Sequence, residues 1–210
     1  MRITYLFDPL CGWCYGAGPT ISRLATLDGV MVKLAPTGLF AGPGARPMDA
    51  GFAAYAWQND QRIARLTGQP FSEAYRHQVL GASGTLFDSA PATLAVVAAG
   101  LEAPERELEL LKRVQRARYA AGHDIADHAV LADILAEAGL EEAARRMRAP
   151  DAALLAAYGA RVEAARADMM VFGITGVPAL VLGEGAGRRA LPTSALFGRF
   201  DLLAAEVQAA

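Results

Sequence analysis

Cysteine is nearly absent. The chain holds two among its 210 residues, too few for a disulfide framework and two short of the four ligands that structural zinc usually takes. Histidine is almost as scarce, at three. His123 and His128 flank Asp124 and Asp127 in a polar stretch, but they and His77 lie far along the chain from both cysteines, so no metal site is expected. Neither sign of charge dominates: 20 basic residues face 22 acidic ones. That balance leaves no electrostatic footprint for nucleic acid or for a polybasic membrane contact. Long apolar runs are missing too. ATLAVVAAGL and GVPALVLG stop well short of the about 20 residues a membrane span needs. RITYLF, from Arg2, runs directly into the first cysteine and leaves no room for a basic, apolar and small-residue signal segment. Read from this start, the chain is expected in the cytoplasm.

What is present is a large apolar fraction, 53%, enough for a core without staples. Both thiols fall in one short stretch, FDPLCGWCYG, as Cys11 and Cys14. RITYLF reads as a buried strand ended by Asp8-Pro9, and the chain from about Cys11 to Leu27 reads as a helix with Ile21, Leu24 and Leu27 on one face. Pro19 lies inside that helix and is expected to kink it. Residues i and i+3 of a first helical turn share a face, close enough for a disulfide. Two inert buried thiols are the bland alternative. A Cys-x-x-Cys at a strand-to-helix junction points instead to a redox pair. Cys11, at the helix N-terminus, meets unpaired N–H groups and the positive end of the dipole, which favour a thiolate nucleophile. Cys14, one turn inside, is the resolving thiol.

VMVKLAP, Val30 to Pro36, reads as a second strand, which makes a βαβ unit. TGLFAGPGARPMDAGF follows as a linker or functional loop, and its PTGLFAGPG portion could line a groove above Cys11. The next hundred residues are helical. Leu108, Leu111 and Val114 recur at helical spacing, as do Val130, Leu131, Ile134 and Leu135. A long helix from about Asp151 carries Leu154, Tyr158, Val162, Ala165 and Met169 on one face. Asp88-Ser89-Ala90-Pro91 caps a helix. VPALVLG, the turn EGAG and RRAL suggest a hairpin, and Thr193 or Ser194 is expected to cap a last helix.

FDPLCGWCYG, the helical middle with GHDIADHAVLADILAEAGL, and GITGVPALVLG resemble the DsbA family of thiol–disulfide oxidoreductases. The likeness is nearest to its FrnE-like branch of predicted protein-disulfide isomerases. It implies a thioredoxin-like α/β fold (βαβ…αββα) with a large all-helical insertion domain. Residues 1–50 and 160–210 would form the catalytic domain, and 51–159 the insertion. It further implies a cis Val177–Pro178 peptide whose loop faces Cys11, offers the Val177 backbone to a substrate and shields the dithiol from metals. Trp13 is a candidate substrate contact. The implied reaction is thiol–disulfide exchange on disulfide-containing proteins or small thiols. No cofactor is expected to be bound, and electrons would come from glutathione, thioredoxin or a similar donor.

Three departures matter. Gly12-Trp13 replaces the Pro-His of strongly oxidising members, so a less oxidising couple is expected. Tyr5 stands where many relatives carry a buried carboxylate that serves the resolving thiol. Asp8 could substitute, though a turn or capping role suits it better. Finally, the glutathione-dependent 2-hydroxychromene-2-carboxylate isomerases and kappa glutathione transferases usually have Ser at the position of Cys11 and an Asp-Arg pair after the last strand. This chain has neither, which makes that activity the alternative.

Overall fold

The computed structural model describes residues 1–82 and 84–209. The chain opens with β1 (Arg2–Phe7), α1 (Gly12–Leu24) and β2 (Met31–Pro36). A short β3 (Arg46–Pro47) leads into α2 (Ala50–Thr67), a π-helical turn (Tyr75–Leu80) and β4 (Leu86–Phe87). Four helices follow: α3 (Ala90–Glu102), α4 (Glu107–Tyr119), α5 (His128–Glu137) and α6 (Glu141–Arg148). The long α7 (Ala152–Val171) returns to the sheet through β5 (Ala179–Leu182) and β6 (Arg189–Leu191), and α8 (Phe200–Gln208) ends the chain.

The main sheet has the order β2-β1-β5-β6, with β1 parallel to β2 and antiparallel to β5. Strand alternation decides its two faces. Ile3, Tyr5 and Phe7 pack on Ile21 and Leu24 of α1 and on Leu203 and Val207 of α8. Leu6, Ala35, Ala179 and Val181 pack on Ala165 of α7. Together these elements form the thioredoxin-like layer. A separate core joins α2 through α6, with Leu94, Leu110, Leu131 and Met147 at its centre. At the N-terminus of α7, Leu154 belongs to that helical core, so one helix serves both layers.

Pro19 lacks the N–H that would bond the Tyr15 carbonyl, yet α1 continues through it to Leu24. The orphaned Tyr15 carbonyl is taken by Gln69, whose Nε2 donates to it at 3.1 Å. Gln69→Leu should therefore lower unfolding free energy by about 1 kcal/mol, measured by urea titration. One capping expectation shifts. Thr193 and Ser194 open a 3₁₀ segment, Thr193–Phe197, and the N-cap of α8 is Arg199. The capping stretch before α3 is as expected: Ser89 is the N-cap, Pro91 lies in the first turn and Asp88 Oδ1 accepts from the Ala90 N–H at 2.9 Å, while the Ser89 hydroxyl goes to Asp8.

α1 and α2 approach closely through glycine. A Cβ on Gly16 would stand 2.6 Å from Ile63 Cγ2, and one on Gly12 would stand 2.4 Å from Asp60 Oδ1. The cysteine-bearing helix thus lies directly against the helical unit.

Candidate active site

Asp8 turns the chain from β1 into α1. Its backbone carbonyl accepts from the Cys11 N–H at 3.1 Å and its Oδ1 from the Leu10 N–H at 2.9 Å. Cys11 is the N-cap of α1, with extended φ/ψ of −85° and 113°. Its sulfur takes the role a serine oxygen would play there, accepting the Cys14 N–H at 3.3 Å. On its other side the Cys11 thiol donates to the Val177 carbonyl at 3.4 Å. The Val177–Pro178 peptide is cis.

The two thiols, both free, differ in environment. Cys11 is 7% exposed and Cys14 1%. Burial, reinforced by the neighbouring Cys11 sulfur, pushes the Cys14 thiol well above its ordinary range. Asp8 acts on Cys14 in both directions: its backbone favours the thiolate by hydrogen bonding, and its charge, a smaller effect, disfavours it. The Tyr5 hydroxyl, fully buried, donates to the Cys14 carbonyl at 3.2 Å. Burial raises the Tyr5 phenol well above its usual value, so it stays a neutral donor.

Asp8 is completely buried. Its Oδ2 accepts from the Phe40 N–H at 3.1 Å and from the Ser89 hydroxyl at 2.6 Å. These bonds pull its acidity toward the ionised form, yet desolvation outweighs them and its pKa is raised. The turn role expected for Asp8 is present, and with it a buried carboxyl whose charge acts on Cys14.

Two recesses meet at Trp13. A groove of about 820 Å³ runs past the proline loop and is lined by Trp13, Leu66, Ile174, Val177, Pro178 and Phe197. A smaller cavity of about 340 Å³ reaches into the helical unit and contains Cys11, Phe40, Phe52, Asp60, Tyr75 and Tyr119. Phe40 comes from the Gly/Pro-rich loop, which therefore lines the cavity beside Cys11. Trp13 itself is half-buried, packed edge-on against Phe197 at 5.2 Å, with the Arg62 guanidinium 5.8 Å from its ring.

Asp60 and Tyr75 escape a reading of the sequence. Asp60 and Ile63 are the buried residues of α2. An acidic residue one turn before an inward-facing isoleucine was the available signal. The Tyr75 hydroxyl donates to Asp60 Oδ2 at 2.9 Å. Burial raises the Asp60 carboxyl from 3.8 to about 7, against the opposing effects of Tyr75 and Arg118. Because the folded value lies above the unfolded one, stability falls as pH rises from near 4 through about 7. Between about pH 5 and 8 the wild type should lose roughly 2–3 kcal/mol that Asp60→Asn does not. Thermal unfolding of both proteins across that range tests it. Among the described residues, no group of three or more His, Cys, Asp or Glu could hold a metal ion, and no helix is long and apolar enough to cross a membrane.

A Cys-x-x-Cys at the N-terminus of the first helix of a thioredoxin-like layer, faced by a cis-proline loop, defines a thiol–disulfide oxidoreductase. The chain belongs to the DSBA-like thioredoxin domain family, whose match spans residues 2–207. It is similar to the cytosolic disulfide reductase DsbM from Pseudomonas aeruginosa, with 34% identity over 100% of this chain and 98% of that one and a TM-score of 0.87. A second structure of DsbM, with GSH, aligns over the same shares at the same identity with a TM-score of 0.83. A candidate protein disulfide isomerase from Nitrosomonas europaea is 26% identical over 99% of this chain and 98% of that one, with a TM-score of 0.78. A 2-hydroxychromene-2-carboxylate isomerase shares the fold at 18% identity, covering 100% and 96% of the two chains, with a TM-score of 0.67. No curated protein matches the chain.

Proposed function

We propose that this protein is a cytoplasmic disulfide reductase that works through Cys11 and Cys14 and draws its electrons from glutathione or a similar small thiol. One observation carries the reading. The Cys11 sulfur receives a backbone N–H at the mouth of the site, while Cys14 waits behind it, buried and protonated. Similarity to a cytosolic disulfide reductase, one structure of which contains GSH, supports both the direction and the donor.

The Cys11 thiolate attacks one sulfur of the substrate disulfide. The S–S bond breaks, its electron pair leaves with the other sulfur, and a mixed disulfide remains on Cys11. Ionised Cys11 no longer donates to the Val177 carbonyl, which is then free to accept an N–H from an extended substrate backbone. Cys14 next loses its proton and attacks Cys11, closing the Cys11–Cys14 bond and expelling the reduced substrate. Asp8 is the buried carboxyl placed to receive that proton. Its pKa is raised, which makes it a better acceptor than an ordinary aspartate. Two molecules of glutathione then return the pair to the dithiol and leave as glutathione disulfide.

Disulfide-containing proteins and small disulfides are the substrates, with the groove beside Val177 and Pro178 receiving the larger ones and Trp13 forming an apolar contact. Equilibration in glutathione redox buffers, followed by Trp13 fluorescence and thiol alkylation, gives the reduction potential. The reductase reading expects a value near or below about −230 mV. A value near −180 to about −120 mV would assign isomerase or oxidase work instead.

A further inference from the structure

Asp60 does nothing in the exchange described above, yet it shares a cavity with the nucleophile. Its Oδ2 is occupied by Tyr75. Its Oδ1 makes no hydrogen bond among the described residues and lies against Gly12, 2.4 Å from where a Cβ would stand, so a side chain there would displace the carboxyl. The carboxyl therefore turns its free oxygen toward Gly12 in the first turn of α1, the residue that follows Cys11, within the cavity that Cys11 also lines. A buried carboxyl in such a place costs stability, and structural packing alone gives no reason for it.

We propose that Asp60 is a general acid: it protonates the thiolate expelled when Cys11 opens an alkyl disulfide. This deepens the reductase reading and rests on it. In the step, Cys11 bonds to one substrate sulfur, the other sulfur departs with the electron pair of the broken S–S bond, and that sulfur takes the Asp60 proton. Asp60 regains a proton from water through the cavity mouth. An alkyl thiolate is a poor leaving group unless protonated, because exchange slows as the leaving thiol's pKa rises. At neutral pH a carboxyl whose pKa is about 7 supplies that proton readily.

The groups that face Asp60 set when it holds its proton. Tyr75 donates to it from the π-helical turn. Arg118 of α4 acts on it as a buried cation, and Nε and Nη2 of that guanidinium have no acceptor among the described residues. The phenol of Tyr119, also on α4, feels the charges of both Asp60 and Cys11. Arg46 lines the same cavity from the loop side.

The test compares two disulfides. Oxidised glutathione expels an alkyl thiolate that needs a proton. Ellman's reagent expels a stabilised aromatic thiolate that does not. Single-turnover rates of the reduced protein with each are measured from about pH 5.5 to 9. In the wild type, the ratio of the glutathione rate to the aromatic rate should fall as pH rises through about 7, as the acid form is lost. In Asp60→Asn the ratio should be about a hundredfold lower at acid pH, and flat. Tyr75→Phe removes a bond that favours the ionised carboxyl, so the midpoint of the fall should move to higher pH. Equal losses with both reagents in Asp60→Asn, or an unaltered ratio, would overturn the proposal and leave the reductase reading standing. A wild type that reduces neither reagent would overturn the reductase reading itself.

Discussion

Cys14→Ser protein, reduced and mixed with a disulfide substrate, should accumulate a mixed disulfide at Cys11 and lose essentially all turnover. The two sulfurs occupy unequal places. Cys11 caps α1 and faces the Val177 carbonyl, whereas Cys14 is 1% exposed behind it. A substrate can therefore reach only one of them. With serine at position 14 nothing remains to attack the Cys11–substrate bond except free thiol from solution. Non-reducing mass spectrometry would find the adduct on Cys11. Cys11→Ser should trap nothing, because its remaining thiol is buried, protonated and blocked. Equal trapping by both variants would reverse or abolish the assignment of nucleophile and resolving thiol.

Gly16→Val should be strongly destabilising. The new side chain would drive into Ile63, whose Cγ2 already stands 2.6 Å from the position of a Cβ. Ile63 is 1% exposed and cannot swing away. Overpacking of this kind costs about 1–3 kcal/mol, and each kcal/mol lowers Tm by about 2–4 °C in a chain of this size. A double-mutant cycle with Ile63→Ala isolates the cause. If the clash dominates, the pair should be more stable than the sum of the two single losses predicts, because the smaller residue vacates the space. Strict additivity would place the damage elsewhere, in the helix backbone of α1 itself.

Much of this molecule could be read before it was seen. RITYLF as a strand, Asp151 as the start of a long helix, and the strand pair near the C-terminus all follow from short-range patterns. Asp151 is the N-cap of α7, accepting from the Leu154 N–H at 2.8 Å. The thioredoxin-like fold and the family of the chain came from motif likeness rather than from periodicity. What stayed hidden were contacts between residues distant in sequence. Nothing near Asp8 announces Ser89 as its partner, 81 positions away. Nothing near Pro19 announces that Gln69 would complete the hydrogen bonding of Tyr15. Gly12 reads locally as half of the dipeptide between the cysteines, and only the approach of α2 explains why no larger residue stands there. Thr193 and Ser194 do not cap α8 for a related reason. They are good capping residues by type, but the chain needs a 3₁₀ segment there to bring Leu196 into the core under α1.

The knot at Asp8 bears on how such a chain could be shortened or rebuilt. One carboxyl holds the cysteine turn, the loop after β2 through Phe40, and the entrance to α3 through Ser89. Tyr119, from α4, adds a bond from its hydroxyl to the Leu10 carbonyl at 2.7 Å. The residues that shape the dithiol are therefore contributed by both units. Excising the helices and splicing the sheet ends together would take the Ser89 hydroxyl from a buried carboxyl and uncover the apolar flank of α1. A shortened form built on the sheet alone should lose oxidoreductase activity, because the insertion helps to build the surroundings of the dithiol rather than riding as cargo attached to it.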